Sequence, residues 1–503
     1  MPEATDKEKE KSDKSEERPE PKDQLSITQH VFTSGGKSIR YTVTAGTIVL
    51  KEESEKKGEA AGQAEGEKAR AAIFFIAYTR DDVEDKARRP LTFSFNGGPG
   101  SSSVWLHLGL LGPRRVELDE AGNLPAPPFR LVDNEYSLLD LTDLVFIDPV
   151  STGYSRPVVG EKAADFHGFK KDIESVGDFI RLYTTRYARW TSPKFLIGES
   201  YGTTRAAGLS GYLQERHGLY LNGIMLVSAI LNFQTANFDH GNDLPYILFL
   251  PTYAATAWYH KKLEPELQRQ NLPATLREVE AFALGDYAQA LLQGAALPAE
   301  ARARVVEQLA RYTGLAPDYL EGTDLRINIY RFVKELLRGE RRTVGRLDSR
   351  FQGIDRDSVG EGHEYDPSLT NVVGPYTAAF NDYVRVALKY ESDLPYEIMT
   401  ERVFPWSFAT YENQYVNVAE TLRKAISINP YLKVFVANGY YDLATPYYAT
   451  RYTVNHLGLD PSLSANISLG FYEAGHMMYV HIPSLARLRD DLAHFIASAL
   501  PVQ

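Results

Sequence analysis

Residues Phe195 to Thr203 read Phe-Leu-Ile-Gly-Glu-Ser-Tyr-Gly-Thr: an apolar run stops at Gly198-Glu199-Ser200-Tyr201-Gly202, and a helix-like segment opens behind it. The pattern predicts a buried strand, a tight turn and a helix start. It constrains the fold because a residue at the apex of so sharp a turn needs neighbours without side chains to clear both elements. Ser200 would then stand exposed above a sheet. A serine hydroxyl is a poor nucleophile by itself, so chemistry at this apex demands a histidine base and a carboxylate that orients it, both from elsewhere in the chain. The competing reading is a strand-to-helix turn whose glycines serve packing alone.

The rest of the chain can be laid out around this turn. Upstream, Ser38 to Leu50 and Ala71 to Tyr78 are β-rich and flank the polar stretch Lys51 to Arg70, which reads as an antiparallel hairpin with a long mobile loop. Pro90 to Phe95 resumes a strand and runs into Asn96-Gly97-Gly98-Pro99-Gly100, a glycine turn dense enough to bring backbone close to something. A phosphate cradle is a rival use for such a turn, but no Gly-Lys-Ser/Thr follows it. Asp143 to Val150 is a further apolar strand, and Phe169 to Ala188 has helical spacing through Ile173, Val176, Phe179, Ile180 and Tyr183. Leu221 to Leu231 is a strand of the kind buried on both faces. Strands alternating with helices imply a mostly parallel sheet, whose sites gather at the strands' carboxyl ends.

Between about Phe233 and Trp406 the pattern turns helical, with a possible capping box at Thr275-Leu-Arg-Glu278, Pro298 suited to a first helical turn, and Val305, Val306, Leu309 and Tyr312 on one face. Strand and helix signals then return: Glu412 to Ile428 as a helix, Tyr431 to Ala437 and Ala465 to Tyr472 as strands, and Pro483 to Leu500 as a closing helix with Leu485, Leu488, Leu492, Phe495 and Ile496 inward. The expected organisation is a disordered tail over 1–24, a core domain over 25–232, an inserted helical cap over 233–406, and the remainder of the core over 407–503.

Composition narrows the chemistry. With 503 residues, 43% of them hydrophobic, the chain can bury a large core, and its net charge of -11 with no dense Lys/Arg block argues against nucleic acid as a partner. No run of eighteen apolar residues spans a membrane. The absence of cysteine excludes disulfides and thiolate catalysis, so covalent chemistry needs another nucleophile. The Glu/Lys/Pro-rich start lacks the apolar core of a secretory signal, which suits a cytoplasmic protein or, the preferred expectation, a secreted or periplasmic one whose signal has been removed.

A serine nucleophile must be served by one of eleven histidines. His217, His260 and His494 sit in helical stretches, His240 and His363 in the inserted region, and His30 in the opening strand. His476 instead follows a strand, in Glu473-Ala-Gly-His-Met, with the closing helix after it. The orienting carboxylate should precede this histidine, on the loop after the preceding strand. Asp442 meets both conditions, although an isolated Asp in such a turn is usually only a turn former. The tetrahedral oxyanion needs two backbone donors, one just after the nucleophile and one from an early loop, for which the N–H groups of Tyr201 and Gly98 are the candidates.

Taken together, Asn96-Gly-Gly-Pro-Gly-Ser-Ser-Ser103, Phe146-Ile-Asp-Pro-Val-Ser-Thr-Gly-Tyr-Ser155, Gly198 to Gly202, Asn438-Gly-Tyr-Tyr-Asp442 and Gly475-His476 resemble the serine carboxypeptidases, including the cathepsin A type, in order and spacing from about Pro90 onward except through the cap. The resemblance implies an α/β-hydrolase core with an inserted cap, no cofactor, and a peptide with a free carboxyl terminus as substrate. It also implies that Asn96 and Glu199 bind that terminal carboxylate. Two carboxyl groups share a hydrogen bond only if one is protonated, and burial raises a Glu toward that state. The chain departs from the family at Ser94, where a tryptophan is usual, at Ser101, where a cysteine is usual, and at Leu110, where the family's second glutamate falls. Glu199 is therefore expected to lack its carboxyl partner. An esterase or acyltransferase using the same acyl-enzyme is the alternative, and an inert hydrolase-fold binding module is a third reading. For a metal enzyme no His-Glu-x-x-His spacing occurs, and Asp355, Asp357 and Glu361 resemble a calcium loop too loosely, Val359 taking a ligand position.

Overall fold

The run ending at Ser200 is a strand because each side chain along it meets a packed layer. In the computed structural model, which describes residues 20–55 and 64–501, Phe195 and Ile197 join the apolar layer on one face and Leu196 the layer on the other. This strand lies inside a ten-stranded sheet. Its members are β1 (Gln24–Ser34), β2 (Lys37–Glu55), β3 (Ala64–Arg80), β4 (Leu91–Phe95), β5 (Asp143–Ile147), β6 (Lys194–Ser200), β7 (Gly223–Ala229), β8 (Lys433–Gly439) and β9 (Ile467–Tyr472), with the short strand Arg156–Pro157 pairing to β3. The order is β1-β2-β3-β5-β4-β6-β7-β8-β9. β1, β2, β3 and β5 pair antiparallel, and from β5 through β4 to β9 every neighbour is parallel. The expected α/β-hydrolase arrangement of a mostly parallel sheet between helices is therefore present.

Helices α1 (Phe169–Arg186) and α2 (Tyr201–His217) cover one face of the sheet. α3 (Leu244–Tyr259) opens the inserted region, and α4 (Pro367–Asp382) ends its helical part. α5 (Ala419–Ile428) rejoins α1 and α2, while α6 (Ile482–Ala499) closes the opposite face together with α4. The apolar stripes expected on α1 and α6 are buried: Ile173, Val176, Phe179, Ile180 and Tyr183 on the former, Leu485, Leu488, Leu492, Phe495 and Ile496 on the latter. Among the described residues no helix is long and apolar enough to cross a membrane.

Several expectations need correction. The polar stretch Lys51 to Arg70 is largely ladder rather than loop, because β2 and β3 stay paired from Lys51↔Ala69 to Glu55↔Ala64; backbone hydrogen bonds sustain a ladder whose side chains are polar. The expected loop's tip, 56–63, lies outside the described residues. So does 1–19 of the expected tail, but its last residues are tied down: Asp23 accepts from the Val49 N–H at 2.8 Å and pairs with Arg186 at 2.5 Å, and Gln24 already belongs to β1. The capping box is absent. Asn271 caps helix Leu272–Phe282 by accepting from Ala274 N–H, and Thr275 lies inside the helix as a buried residue. α5 starts only at Ala419, because the preceding backbone is bonded to the chain leaving β7: Phe233 N–H donates to Val416 and Val418 N–H to Leu231.

The inserted region is not one helical unit. Helices from α3 to Ile329–Glu335 share a core of their own, which reaches Tyr441, Leu443 and Tyr447 beside β8, whereas α4 packs on the sheet through Val372, Tyr376 and Phe380. Between them, residues 346–350 pass under the carboxyl ends of β8 and β9. The packing makes Leu488→Ala a direct test of the α6 layer: Leu488 is fully buried, and its truncation is expected to cost about 2–5 kcal/mol in urea unfolding.

Candidate active site

The turn after β6 is built as its sequence requires. Ser200 has φ 59° and ψ −129°, a strained conformation that costs about 1–3 kcal/mol and persists where its surroundings hold it. The surroundings are close. A Cβ on Gly198 would lie 2.2 Å from the Gly202 oxygen, and one on Gly202 would lie 2.8 Å from the Phe95 oxygen. Thr203 Oγ1 donates to the Ser200 carbonyl at 2.6 Å and accepts from Ile230 N–H at 2.9 Å, anchoring the turn to the chain after β7.

The glycine turn after β4 folds directly onto this apex. A Cβ on Gly97 would stand 2.4 Å from the Tyr201 nitrogen and 2.8 Å from the Glu199 oxygen, so only glycine leaves room there. Gly98 has φ 104°, in the region that favours glycine. Arg205, fully buried on α2, donates from Nη1 to the Asn96 carbonyl at 2.5 Å and from Nε to Asp172 at 2.8 Å, which ties the turn to α1 and α2. The first nitrogens of α2, at Tyr201 and Gly202, thus lie beside the glycine turn, and a helix start is an end that favours negative charge.

Asp442 and His476, chosen as loop residues after β8 and β9, meet. His476 Nδ1 donates to Asp442 Oδ2 at 2.7 Å, and both residues are buried. Asp442 also accepts from Ala444 N–H at 2.8 Å, Thr445 N–H at 3.0 Å and Thr445 Oγ1 at 2.7 Å. With Nδ1 engaged as donor, the neutral imidazole presents Nε2 as its acceptor. Burial opposes a charge on His476, but the Asp442 charge and hydrogen bond together with the Glu199 charge outweigh it, so the imidazole is held above the usual histidine value.

Glu199 and Asn96 also meet. Asn96 Nδ2 donates to Glu199 Oε2 at 3.0 Å, while Asn96 Oδ1 accepts from Leu106 N–H at 3.1 Å. Burial pushes the Glu199 carboxyl up to about 7, against the pull of His476, Tyr479 and Asn96. Among the described residues no second carboxylate bonds it; Leu110 is a core residue, and another partner of Glu199 is the Tyr479 hydroxyl at 2.6 Å.

Three groups near the site were missed by sequence reasoning. Tyr479 lies three residues past His476 with no local signal of its role. Ser228, at a bulge in β7 with φ 54°, donates to the His476 carbonyl at 2.7 Å. The strap 346–350 holds both loops: Leu347 accepts from His476 N–H at 2.7 Å, Asp348 Oδ2 accepts from Gly475 N–H at 3.0 Å, Arg346 accepts from Leu443 N–H at 3.0 Å, and Tyr441 accepts from Ser349 N–H at 3.0 Å. Asp355 of the loosely calcium-like stretch instead pairs with the buried Lys334 at 2.5 Å, and Glu361 pairs with Arg331.

Because Asp442 raises His476 and burial lowers it, removing the Asp442 charge should lower the imidazole. In Asp442→Asn, NMR titration is expected to place the His476 pKa below that of the wild-type protein. The stability this pair contributes is fully present below the unfolded histidine's pKa and is lost as pH rises through the raised folded value.

Residues 55–476 match the serine carboxypeptidase family, Peptidase_S10. Among individual relatives, pheromone-processing carboxypeptidase KEX1 of Saccharomyces cerevisiae is 35% identical over 135 residues, 25% of this chain but only 17% of the yeast protein. Serine carboxypeptidase-like 29 of Arabidopsis thaliana is 26% identical over 170 residues, 32% of this chain and 33% of the plant protein. The crystal structure of the prohormone-processing carboxypeptidase from Saccharomyces cerevisiae shares the fold with a TM-score of 0.52 at 17% identity, over 90% of this chain and 91% of that one. With its family match running from β2 to His476, the chain belongs to the serine carboxypeptidase family.

Proposed function

We propose that the protein is a serine carboxypeptidase that releases the last residue of a peptide through an acyl-enzyme on Ser200. The observation that carries this reading is the 2.7 Å bond from His476 Nδ1 to Asp442, which leaves Nε2 as the acceptor for the Ser200 proton. Ser200 Oγ attacks the scissile carbonyl as Nε2 takes its proton, and Asp442 stabilises the resulting imidazolium. The N–H groups of Gly98 and Tyr201 hold the tetrahedral oxyanion. Its collapse breaks the C–N bond, with His476 returning the proton to the leaving amine. Water, deprotonated by His476, then attacks the acyl carbon; the ester C–O bond breaks, and His476 returns the proton to Ser200 Oγ.

Asn96 and Glu199 hold the substrate's terminal carboxylate. Glu199 can donate to a carboxylate only while protonated, so binding of free-acid peptides weakens as pH rises through about 7. The base has the opposite need, since His476 must be neutral. The two side chains interact and titrate as a pair, and the productive form carries its proton on Glu199. Activity on free-acid peptides therefore falls on the acid side as His476 gains a proton and on the alkaline side as Glu199 loses its own.

A second reading, ester or acyl-transfer turnover by the same triad, is favoured by the lack of a carboxyl group bonded to Glu199. Once ionised, Glu199 repels a terminal carboxylate but not an ester. Mass spectrometry of the products from blocked dipeptides, their amides and their esters separates the two.

Ser200→Ala is expected to lower kcat by about four to six orders of magnitude on blocked dipeptides; retained turnover would end the assignment. Gly97→Ala places a methyl group against the Tyr201 nitrogen, and kcat is expected to fall by about two to three orders of magnitude, as for loss of one oxyanion donor.

A further inference from the structure

Tyr479 stands in the short turn Met478–Val480, between the loop carrying His476 and helix α6. Its ring lies in space that Gly109 leaves open: a Cβ there would come within 2.5 Å of the Tyr479 ring and 2.6 Å of the Tyr376 hydroxyl. The phenol is fully buried, and its hydroxyl donates to Glu199 Oε2 at 2.6 Å, the same oxygen that accepts from Asn96 Nδ2 at 3.0 Å. Asn96 cannot turn its amide over without losing the bond from Leu106 N–H. Two fixed donors therefore converge on one oxygen of Glu199. A protonated carboxyl carries its hydrogen on one oxygen only, so a carboxyl held in this way keeps the proton on Oε1.

We propose that Tyr479 is a positioning residue for terminal-carboxylate recognition: its hydroxyl pins Glu199 by Oε2, reserves Oε1 for the proton offered to the substrate, and sets the pH above which a free-acid peptide is no longer held. The proposal rests on the reading of Glu199 as the group that meets the substrate's terminus. A phenol suits the task differently from a second carboxyl. Burial, followed by the nearby Glu199 charge, holds Tyr479 well above the usual tyrosine value, so it stays a donor across the working range. Glu199 then loses its proton without a neighbouring carboxyl sharing it. The other ionisable groups facing Glu199 are His476 from the loop after β9, Asp442 from the loop after β8 and Tyr376 from α4; Asn96, from the glycine turn, is uncharged.

The sign of the effect follows from the hydrogen bond. Donation by Tyr479 favours the ionised carboxylate, so removing it should make Glu199 harder to ionise. The experiment compares kcat/KM against pH for a blocked dipeptide and its carboxyl-terminal amide, in wild type, Tyr479→Phe, Gly109→Ala and Glu199→Gln. For the free acid, Tyr479→Phe is expected to move the alkaline limb upward by about one pH unit, the size of one hydrogen bond to a charged group, and to raise KM more than it lowers kcat. A merely structural loss would lower kcat for both substrates and leave the limb in place. The midpoint of a limb does not depend on how much of a preparation is folded, and Gly109→Ala disturbs the same phenol independently, with the same upward shift expected. A limb unmoved or moved downward in both variants overturns the role of Tyr479. Glu199→Gln is expected to abolish the limb. If it does so while the other variants leave the limb unmoved, only the Tyr479 proposal falls; if the limb survives in Glu199→Gln, the underlying reading of Glu199 falls with it.

Discussion

Gly97 and Gly202 let the turn after β4 and the turn after β6 approach until backbone touches backbone, with a Cβ on either glycine falling within 2.8 Å or less of a facing main-chain atom. Everything else at the site is referred to this contact. It brings the first N–H groups of α2 beside those of the glycine turn, and it sets Asn96 within reach of Glu199. The strain at Ser200 is tolerable because the contact leaves its turn nowhere else to go, while Thr203 and Arg205 fasten the two sides from behind. Such an arrangement is ordered by exclusion rather than by attraction, and the large sheet beneath it supplies the free energy that holds it.

Two buried carboxyl groups show how the same burial leads to different chemistry. Asp442 has four donors around its two oxygens, from Ala444, Thr445 twice and His476, which is the environment a charged acceptor requires. Glu199 has two donors on one oxygen, and burial pushes it up to about 7. One acid bonds an imidazole, and the other is pushed by burial toward its neutral form. The two side chains differ by a single methylene, so the contrast in partners comes from where the fold places them.

The elements most legible in the sequence were those whose signals are local. A strand, a turn and a helix start could be read from Phe195 to Thr203, and inward stripes from Ile173 to Tyr183 and from Leu485 to Ile496, because burial periodicity is written into neighbouring residues. His476 and Asp442 could be singled out by loop position after a strand, and the fold brings them into contact. What was illegible depends on partners distant in sequence. The bond from His476 N–H to the Leu347 carbonyl involves no side chain at either end, so no residue type marks it. Tyr479 carries no mark in its own neighbourhood, and the space its ring fills is the one Gly109, far away in sequence, leaves open. The capping box is absent for a different reason: Asn271, four residues before Thr275, caps the helix and leaves Thr275 inside it.

The strap at 346–350 changes what the inserted region can be. Because Leu347, Asp348, Arg346 and Ser349 bond the loops bearing His476 and Asp442, the insertion contributes scaffolding from inside the catalytic half of the molecule. Trimming it away would strip the loops of His476 and Asp442 of these bonds. The helices between 244 and 335 share a core of their own and touch the loops through Tyr441, Leu443 and Tyr447. Through the strap, the chain between these helices and α4 is what fastens the loops of His476 and Asp442 to each other.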